Sequence, residues 1–373
     1  MPGPHRDYPL TGVRVLDFSR LIPGAFATLM LAELGADVIK IEDPRGGDPM
    51  RSLPPLVDGR GIYHLLLDRG KKSVTIDLRD PSSRPIVDRL IAGSDVVVES
   101  FRPAAAKRLG ISGAEIHSRH PHVVHCAITG YGQTGPYAEV PGHDLNYVAL
   151  SGLLSVDRPD PTKLPRMFIA DVGGGAFSAV VGILAALVGR GRTGRGRSLD
   201  ISMHESMLYW VMVAAAREFV DGGRTAADEL PTFGQHACYN VYRTKDGHLL
   251  ALGALESKFW RRFCEVVGRP DLVDRQLSDG DDQAELLADV RRLVSSRTRD
   301  EWLGVFRGED VCLTPVNSPA EAMEDGHVRA RAVLRSVPGG RAIRPPFVEA
   351  SPTLSAAPAL GADTEAVLGD RRT

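Results

Sequence analysis

Short runs of β-branched residues alternate with amphipathic segments along the first third of the chain. The runs predict buried strands, and the segments between them, which have apolar residues at helical spacing, predict helices. Strands that alternate with helices predict an α/β fold with a mostly parallel sheet covered by helices. The predicted strands lie in GVRVLDFS, ADVIKIEDP, KSVTIDL, SDVVVESFRP and HVVHCAITG, and the predicted helices in GAFATLMLAELG, PSSRPIVDRLIAG and AAAKRLGISGAEIHSRH.

The pattern changes in the middle of the chain. Two long helical segments, GGGAFSAVVGILAALVGRG and HESMLYWVMVAAAREFV, flank the strand-like RSLDISM. The tract VDGGRTAADELPTFGQ is rich in residues that break helices and strands, and it predicts a linker. Beyond it, NVYRTKDGHLLALGA predicts a hairpin that turns at Asp246 and Gly247, followed by helical segments from 257 to 308. The sequence therefore predicts a second, smaller domain of mixed helices and strands.

The composition is that of a globular protein, with 43% apolar and 25% charged residues in a chain of 373, and this length favours two domains. A net charge of −2 gives no basic excess for a phosphate backbone, so we expect no nucleic-acid partner. The four scattered cysteines indicate a reducing compartment. The longest apolar run, AFSAVVGILAALVG, has about 14 residues, fewer than the ~20 of a membrane span. We therefore expect a cytoplasmic protein without a membrane segment.

Two familiar kinds of site do not fit the sequence. The first strand–helix turn, DFSRLIPGAFA, has one glycine, Gly24, where a dinucleotide site needs three, so we expect no NAD or FAD. The histidine-rich HSRHPHVVHC suggests a metal site, but Pro121 interrupts any helix there. His122 and His125 would point to opposite faces of a strand, so their ring nitrogens would not converge. We expect no metal site.

A carboxylate precedes three glycines in FIADVGGGAF, where Asp171 is followed by Gly173, Gly174 and Gly175. Asp171 is a candidate N-cap of the next helix, a role worth about 1 kcal/mol. Successive glycines fit that role poorly, because each weakens a helix by up to about 1 kcal/mol relative to alanine. Glycines at a helix N-terminus let a ligand approach unpaired N–H groups, which stabilise an oxyanion. The residues favour this second interpretation over capping.

A second stretch, PGHDLNYVALSG, places His143 and Asp144 after a Pro-Gly turn. Alone, it is best explained as a surface turn. Combined with Asp171 it gains another interpretation, since a histidine of pKa about 6.5 and a carboxylate of pKa about 3.9 can serve as opposed proton carriers around one carbon. We expect Asp144 to be structural, and His143 and Asp171 to form the working pair.

Basic residues for an anionic ligand follow or precede two predicted strands. Loops at the edge of a parallel sheet collect ligands, although solvated surface positions explain these side chains equally well. The candidates are Arg69, Lys71, Lys72 and Arg102.

Taken together, these stretches resemble the superfamily of family III CoA-transferases and α-methylacyl-CoA racemases, the CaiB/BaiF-like proteins. The resemblance covers nearly the whole chain, in order. It is carried by LTGVRVLDFSR, LAELGADVIKIEDPRGGDPMR, RGKKSVTIDL, SDVVVESFRP, ITGYGQTGPY, PGHDLNYVALSG, ADVGGGAF, VGILAALVGRGRTGRGRSLDISM, DGHLLALGALESKFW, EDVCLTPV and DTEAVL.

The resemblance implies an interlocked homodimer in which a Rossmann-like domain of each chain is completed by residues from both chain ends. The small domain of one subunit would sit over the large domain of the other, and an acyl-CoA thioester would lie at the interface. Coenzyme A would arrive as part of the substrate, with no tightly bound cofactor. The implied domains are 1–220, which binds CoA, 221–328, and a returning segment 329–373.

The resemblance also implies a choice between two reactions. Transferase members use the aspartate at the position of Asp171 as a nucleophile that forms anhydride and thioester intermediates. Racemase members exchange the α-proton of a 2-methylacyl-CoA between that aspartate and the histidine of GHD, supported by a glutamate in GALE. The second set is present here as His143, Asp171 and Glu256, with Gly173 to Gly175 as the expected oxyanion site. We therefore expect a racemase of lipid metabolism, with CoA transfer as the alternative.

Overall fold

The computed structural model describes residues 8–156, 166–223, 231–338, 340–348 and 352–369. The chain divides into one unit of Met1–Ala214 with Arg331–Thr373 and a second of Ala215–Ala330. The sequence places these boundaries near residues 220 and 328. The first unit contains the chain's parallel sheet, and the second contains an antiparallel sheet.

The large unit is built on a six-stranded parallel sheet, as the alternation of strands and helices predicts. The strand order is β5-β2-β1-β6-β7-β8. The chain first adds β2 and β5 on one side of β1, and then crosses back to add β6, β7 and β8 on the other side. The point of return lies between β1 and β6, and in open parallel sheets ligands bind beyond the carboxyl ends of the strands at such a point. The strands are β1 (Arg14–Asp17), β2 (Asp37–Glu42), β5 (Lys72–Thr75), β6 (Val96–Glu99), β7 (Val124–Thr129) and β8 (Ser198–Ser202).

Apolar side chains cover both faces of this sheet. Val15 and Leu16, neighbours on β1, belong to separate buried clusters because successive side chains of a strand point to opposite faces. One cluster contains α1 and α8, and the other contains α3, α4 and α5. The helices of the first 215 residues are α1 (Leu21–Glu33), α2 (Ile62–Leu67), α3 (Arg84–Ala92), α4 (Pro103–Leu109), α5 (Gly113–Arg119), α6 (Asp144–Leu150), α7 (Leu153–Val156), α8 (Ser178–Thr193) and α9 (Met203–Ala214).

A π-helical segment, Ile169–Phe177, continues directly into α8. The whole helix Ile169–Thr193 is long and apolar enough to cross a membrane by length and composition alone, although core helices of soluble proteins pass the same test. Residues of its first half, including Ala170, Ala176 and Ala179, belong to the core of the large unit.

The C-terminal segment lies along the outer strand of the sheet. Asp363 accepts the N–H of Ser73 at 2.9 Å and donates its own N–H to the Ser73 carbonyl at 3.0 Å. The next residue, Thr364, accepts the N–H of Thr75 with its hydroxyl at 3.0 Å. The free edge of β5 is therefore bonded to residues at the start of α16 (Thr364–Gly369). Two hairpins, β3 (Leu56–Val57) with β4 (Arg60–Gly61) and β12 (Leu334–Val337) with β13 (Gly340–Ile343), lie outside the main sheet.

The small unit has an antiparallel sheet in the order β11-β10-β9. Its hairpin turns at Gly247, whose φ of 82° is accessible to glycine, as the sequence predicts. Trp260, Phe263 and Trp302 fill its core. The elements are β9 (Tyr239–Arg243), β10 (Leu249–Gly253), β11 (Leu313–Pro315), α10 (Ala216–Val220), α11 (Ser257–Val266), α12 (Gly280–Val294), α13 (Arg299–Val305), α14 (Pro319–Glu324) and α15 (Gly326–Ala330).

Candidate active site

Two loops meet at the point of return of the sheet, one after β1 and one after β6. The Glu99 carboxylate, at the end of β6, accepts the N–H of Phe101 at 2.6 Å. The N–H of Arg20, just after β1, donates to the Ser100 hydroxyl at 2.9 Å. The two loops are therefore bonded to each other, which fixes the walls of the cavities above them.

The first cavity, here called the strand-end cavity, has a volume of about 360 Å³ and lies beyond β1, β2 and β5. Arg20, Arg79 and Arg108 line it. Asp43 also lines it, and Arg79 lies 2.8 Å from its carboxylate. The N–H and guanidinium of Arg45 hold the pKa of Asp43 below its ordinary value. This cavity combines arginines with an apolar wall that includes Phe101.

The second cavity, here called the His143 cavity, has a volume of about 380 Å³ and is lined by both His143 and Asp171. The structure thus brings together the two side chains that the sequence analysis paired across 28 positions. Arg102 lines the same cavity, as does Arg20, which together with Phe101 also lines the strand-end cavity. The two cavities therefore share a wall.

His143 precedes α6, and the turn before the helix is fixed from both sides. Its N–H donates to the Asn146 side chain at 3.0 Å. The Tyr147 hydroxyl donates to the carbonyl of Gly142 at 2.5 Å. The imidazole is exposed, and it also borders a third cavity of about 450 Å³ whose lining includes Tyr63, Leu145, Met167 and Phe168. His143 therefore stands between a polar cavity and a more apolar one.

Asp171 lies in the first turn of the π-helical segment, yet it does not cap the helix. The cap is Asp144, whose carboxylate accepts the N–H of Asp171 at 2.8 Å and also bonds to the N–H groups of Ala170 and Ile169. The structural role expected for Asp144 fits these contacts, and the capping interpretation of Asp171 is corrected. The Asp171 side chain is thus left to face the cavity.

Burial and, to a smaller extent, the negative charge of Asp144 together raise the pKa of Asp171 to about 7. No lysine or arginine among the described residues forms an ion pair with Asp171. A carboxyl group that titrates near neutral pH is suited both to accept and to donate a proton. π-helical turns are often found at functional sites, and this one presents such a group.

The three glycines take a different place from the one expected. A Cβ on Gly173 would lie 2.3 Å from Trp210, and one on Gly174 would lie 2.9 Å from Met207. A Cβ on Gly175 would come within 3.0 Å of Pro23. The glycines permit close packing of this helix against α9 and α1, and none of them lines the His143 cavity. The glycines therefore have a packing role, and the expected oxyanion site at Gly173 to Gly175 stays a prediction.

The fold places the four predicted cations in different surroundings, and only one of them lines the His143 cavity. Arg102 lines the His143 cavity. Arg69 is buried and donates to the Leu66 carbonyl, and Lys71 is buried with its ammonium 2.8 Å from Asp68. Arg69 also lies 3.7 Å from the Glu33 carboxylate. Both cations therefore belong to buried ion pairs and neither lines the strand-end cavity or the His143 cavity, which corrects the expectation that they bind a ligand. Lys72 is half-exposed at the opposite, amino-terminal edge of the sheet, where it pairs with Asp37.

Two expectations receive no test from this geometry. Glu256 is an exposed residue that immediately precedes α11 in the small unit, so its support of His143 stays a prediction. Among the described residues, no group of three histidine, cysteine, aspartate or glutamate side chains is arranged to hold a metal ion. Sequence reasoning missed Arg20, although its position directly after the first strand at the point of return was a usable signal.

The sequence profile of CoA-transferase family III matches residues 10–364. The chain belongs to this family. It is 34% identical to succinyl-CoA:glutarate CoA-transferase of Mus musculus, over 86% of this chain and 74% of that protein. It is 31% identical to α-methylacyl-CoA racemase of Homo sapiens, over 86% of this chain and 81% of that protein. The crystal structure of a CAIB/BAIF family protein from Brucella suis superposes with a TM-score of 0.84 at 27% identity, covering 98% of this chain and 99% of that one.

The family membership confirms the resemblance found in the sequence. The similar proteins include both transferases and racemases, at nearly equal identity. Family membership alone therefore does not decide which reaction this chain catalyses.

Proposed function

We propose that this family III protein is an acyl-CoA racemase that epimerises 2-methylacyl-CoA thioesters by transfer of the α-proton. The observation that carries this proposal is the placement of His143 and Asp171 on one cavity. The pKa of Asp171 supports it further, since burial and the nearby Asp144 charge bring the pKa of this carboxyl to about 7 and make both of its protonation states available near neutral pH.

The proposed step moves one proton off the α-carbon and one back onto it. With one enantiomer, the Asp171 carboxylate removes the α-proton, the electron pair of the C–H bond delocalises into the thioester carbonyl, and protonated His143 returns a proton on the opposite face. With the other enantiomer, neutral His143 removes the proton and protonated Asp171 returns one. Each turnover inverts the carbon and leaves the pair ready for the reverse reaction.

The strand-end cavity supports the binding of the CoA portion. Arg20, Arg79 and Arg108 give it guanidinium groups, which are well matched to phosphate oxygens. Because this cavity shares a wall with the His143 cavity, a thioester can extend from one to the other. The apolar cavity on the other side of His143 offers space for an acyl chain. CoA enters and leaves as part of the substrate in this proposal.

Exposed apolar side chains on α8 and α9 support the proposed homodimer. Val181 and Val188 on α8 are 66% and 67% exposed, and Tyr209 and Val213 on α9 are 72% and 75% exposed. Large apolar patches of this kind mark protein–protein interfaces. In the proposed dimer, Glu256 of one subunit supports His143 of the other.

CoA transfer is the second candidate, and the 34% identity to a succinyl-CoA:glutarate CoA-transferase favours it. In this reaction the Asp171 carboxylate attacks the thioester carbonyl and expels the CoA thiolate, which gives an acyl-aspartyl anhydride. The thiolate then attacks the aspartyl carbonyl, which releases the donor acid and leaves an aspartyl-CoA thioester for the acceptor acid. This route uses Asp171 and gives His143 no necessary part.

The two reactions are separated by one incubation of a single enantiomer of a 2-methylacyl-CoA in deuterated buffer. The racemase predicts loss of optical purity together with deuterium at the α-carbon, without any added acid. Retention of both the configuration and the α-hydrogen rejects it. The transferase predicts exchange of CoA only when succinate or glutarate is present, and covalent trapping of activated Asp171 by hydroxylamine.

A further inference from the structure

Leu21, the first residue of α1, has a φ of 62°. This left-handed conformation costs about 1–2 kcal/mol for a residue with a side chain, and a bulky residue there is a true outlier. Leu21 also lines the His143 cavity. Strained backbone at a cavity persists only where the surrounding structure enforces it.

The N–H of Leu21 has a single buried carboxylate, that of Asp48, as its acceptor. The N–H of Leu21 points at both carboxylate oxygens of Asp48, at 3.2 and 3.4 Å. Asp48 is 2% exposed and is itself fixed by an ion pair of 3.0 Å with Lys40 and by the N–H of Met50 at 2.9 Å. The anchor below the turn is therefore a buried, charged and fully oriented acceptor.

The turn held in this way carries Arg20. Its N–H bonds to Ser100, and its guanidinium lies over the Phe101 ring, 5.3 Å from the centroid. Arg20 is the charged residue common to the linings of the two cavities. A change in the φ of Leu21 reorients the preceding peptide, which joins Arg20 to Leu21, relative to α1. Such a change therefore moves Arg20 relative to both cavities.

We propose that Asp48 is a positioning residue for ligand binding: by holding Leu21 in the left-handed conformation, it fixes Arg20 at the wall between the two cavities. This inference rests on the proposed function in so far as the ligand is a CoA thioester. Asp48 acts through Leu21 and Arg20, and it takes no part in the proton transfer.

The test is a cycle of variants in which glycine replaces the strained residue, because glycine adopts positive φ without a steric cost. Dissociation constants for CoA are measured by calorimetry for the wild type, Asp48→Asn, Leu21→Gly and the double variant. Loss of the charged acceptor is expected to weaken CoA binding about tenfold when leucine is present. In the Leu21→Gly background the same change is expected to weaken it less than about threefold, because the turn no longer needs to be held.

A general structural role predicts a different result. If Asp48 only stabilises the core, Asp48→Asn weakens binding by the same factor in both backgrounds, and the proposal is overturned. Asp43→Asn, a change at a carboxylate of the strand-end cavity that makes no bond to Leu21, is the control, and its effect is expected to be equal in both backgrounds.

A second variant covers the case in which Asp48→Asn does not fold. Leu21→Val leaves Asp48 in place but puts a β-branched residue at positive φ, so CoA binding is expected to be about tenfold weaker than in Leu21→Gly. Equal affinities overturn the proposal. Inorganic pyrophosphate is titrated in parallel: a wild type that binds pyrophosphate but not CoA defeats the proposed function alone, and one that binds neither defeats both.

Discussion

The large unit buries carboxylates in two opposite ways. Beneath the strand-end cavity, Lys40 lies 3.0 Å from Asp48 and 3.7 Å from Asp68, and Lys71 lies 2.8 Å from Asp68. We call this group, with Asp17, Glu42, Arg51 and His64, the charge network. In the His143 cavity, Asp171 is half-buried, but its charged neighbour is another carboxylate, Asp144.

The pKa values of the two regions follow from this difference. Burial alone would raise the pKa of Asp68, but the ammonium groups of Lys40 and Lys71 bring it well below its ordinary value. Burial and the charge of Asp144 together raise the pKa of Asp171 to about 7. The same residue type is thus permanently ionised in one place and exchanges protons near neutral pH in the other. Paired burial serves structure, and unpaired burial serves chemistry.

The largest expected effect comes from removing Lys40, the central cation of the charge network. Lys40→Met leaves Asp48 and Asp68 buried without their shared partner, and we expect a loss of at least ~4 kcal/mol in the free energy of unfolding, or no folded protein at all. Denaturant titration measures it. Lys72→Met, which breaks the half-exposed pair with Asp37, is the control, with an expected loss below about 1 kcal/mol. Equal losses in the two variants would show that the network is not held by its charges.

Removal of the imidazole tests the chemical side of the contrast. His143→Gln is expected to slow deuterium incorporation into a 2-methylacyl-CoA by about 10²- to 10⁴-fold, the usual contribution of a positioned acid or base. The fold should be retained, because His143 is exposed. His122→Gln, at an exposed histidine outside the cavity, should leave the rate unchanged. An undiminished rate in His143→Gln would remove the racemase assignment.

Neutralising one carboxylate in each region tests the same difference, because the free energy of unfolding should rise in one variant and fall in the other. The pKa of Asp171 in the folded protein lies above its ordinary value of 3.8, so its burial costs nothing in acid, costs more as the pH rises from about 4 to 7, and costs a constant amount above that. Asp171→Asn should therefore raise the free energy of unfolding at pH 8 by ~2–4 kcal/mol and leave it unchanged below pH about 4. The upper figure corresponds to the full pKa shift, and the lower one allows for solvent screening of a half-buried group.

Asp68→Asn should instead lower the stability at pH 8, since it removes a carboxylate that three neighbouring groups bind. Thermal unfolding of both variants at pH 4 and pH 8 makes the comparison. A gain in stability for both, or a loss for both, would contradict the distinction between paired and unpaired burial.

The smallest expected effect comes from the neighbour of the pair. Asp144→Asn keeps an oxygen that can cap the π-helical segment but removes the charge that helps to raise the pKa of Asp171. With the enantiomer whose proton Asp171 removes, kcat/KM should therefore begin to rise at lower pH than in the wild type. The full pH profile of both proteins measures the shift. A rise at the same or higher pH would mean that Asp144 does not act on Asp171 through its charge.

Much of the fold follows from periodicity. Runs such as KSVTIDL and HVVHCAITG predict β5 and β7, and Asp246-Gly247 predicts the hairpin of the small unit. Asp171 and His143 could be paired because loops at one end of a parallel sheet converge. Sequence could not separate Lys71 from Arg102, since both are cations beside strands and only the tertiary fold buries one and leaves the other beside a cavity.

The glycines show the same limit. Gly173 to Gly175 could equally admit a ligand or a neighbouring helix, and the decision depends on Trp210, Met207 and Pro23, which come from other elements. The sequence offered only Asp171 as a candidate cap of the following helix, because Asp144 lies 27 residues before it in the chain. The contact of 2.8 Å across 27 residues decides between them.

The segment around Asp363 and Thr364, which occupies the open side of β5, has a consequence for biosynthesis. The ribosome adds Ser73 to the chain 290 residues before Asp363, so the growing chain carries an unprotected strand while all the residues between them are added. A nascent chain stalled before residue 360 would present that strand to any other extended polypeptide. Synthesis of Asp363 and Thr364 is thus the event that protects the nascent protein from aggregation at this strand.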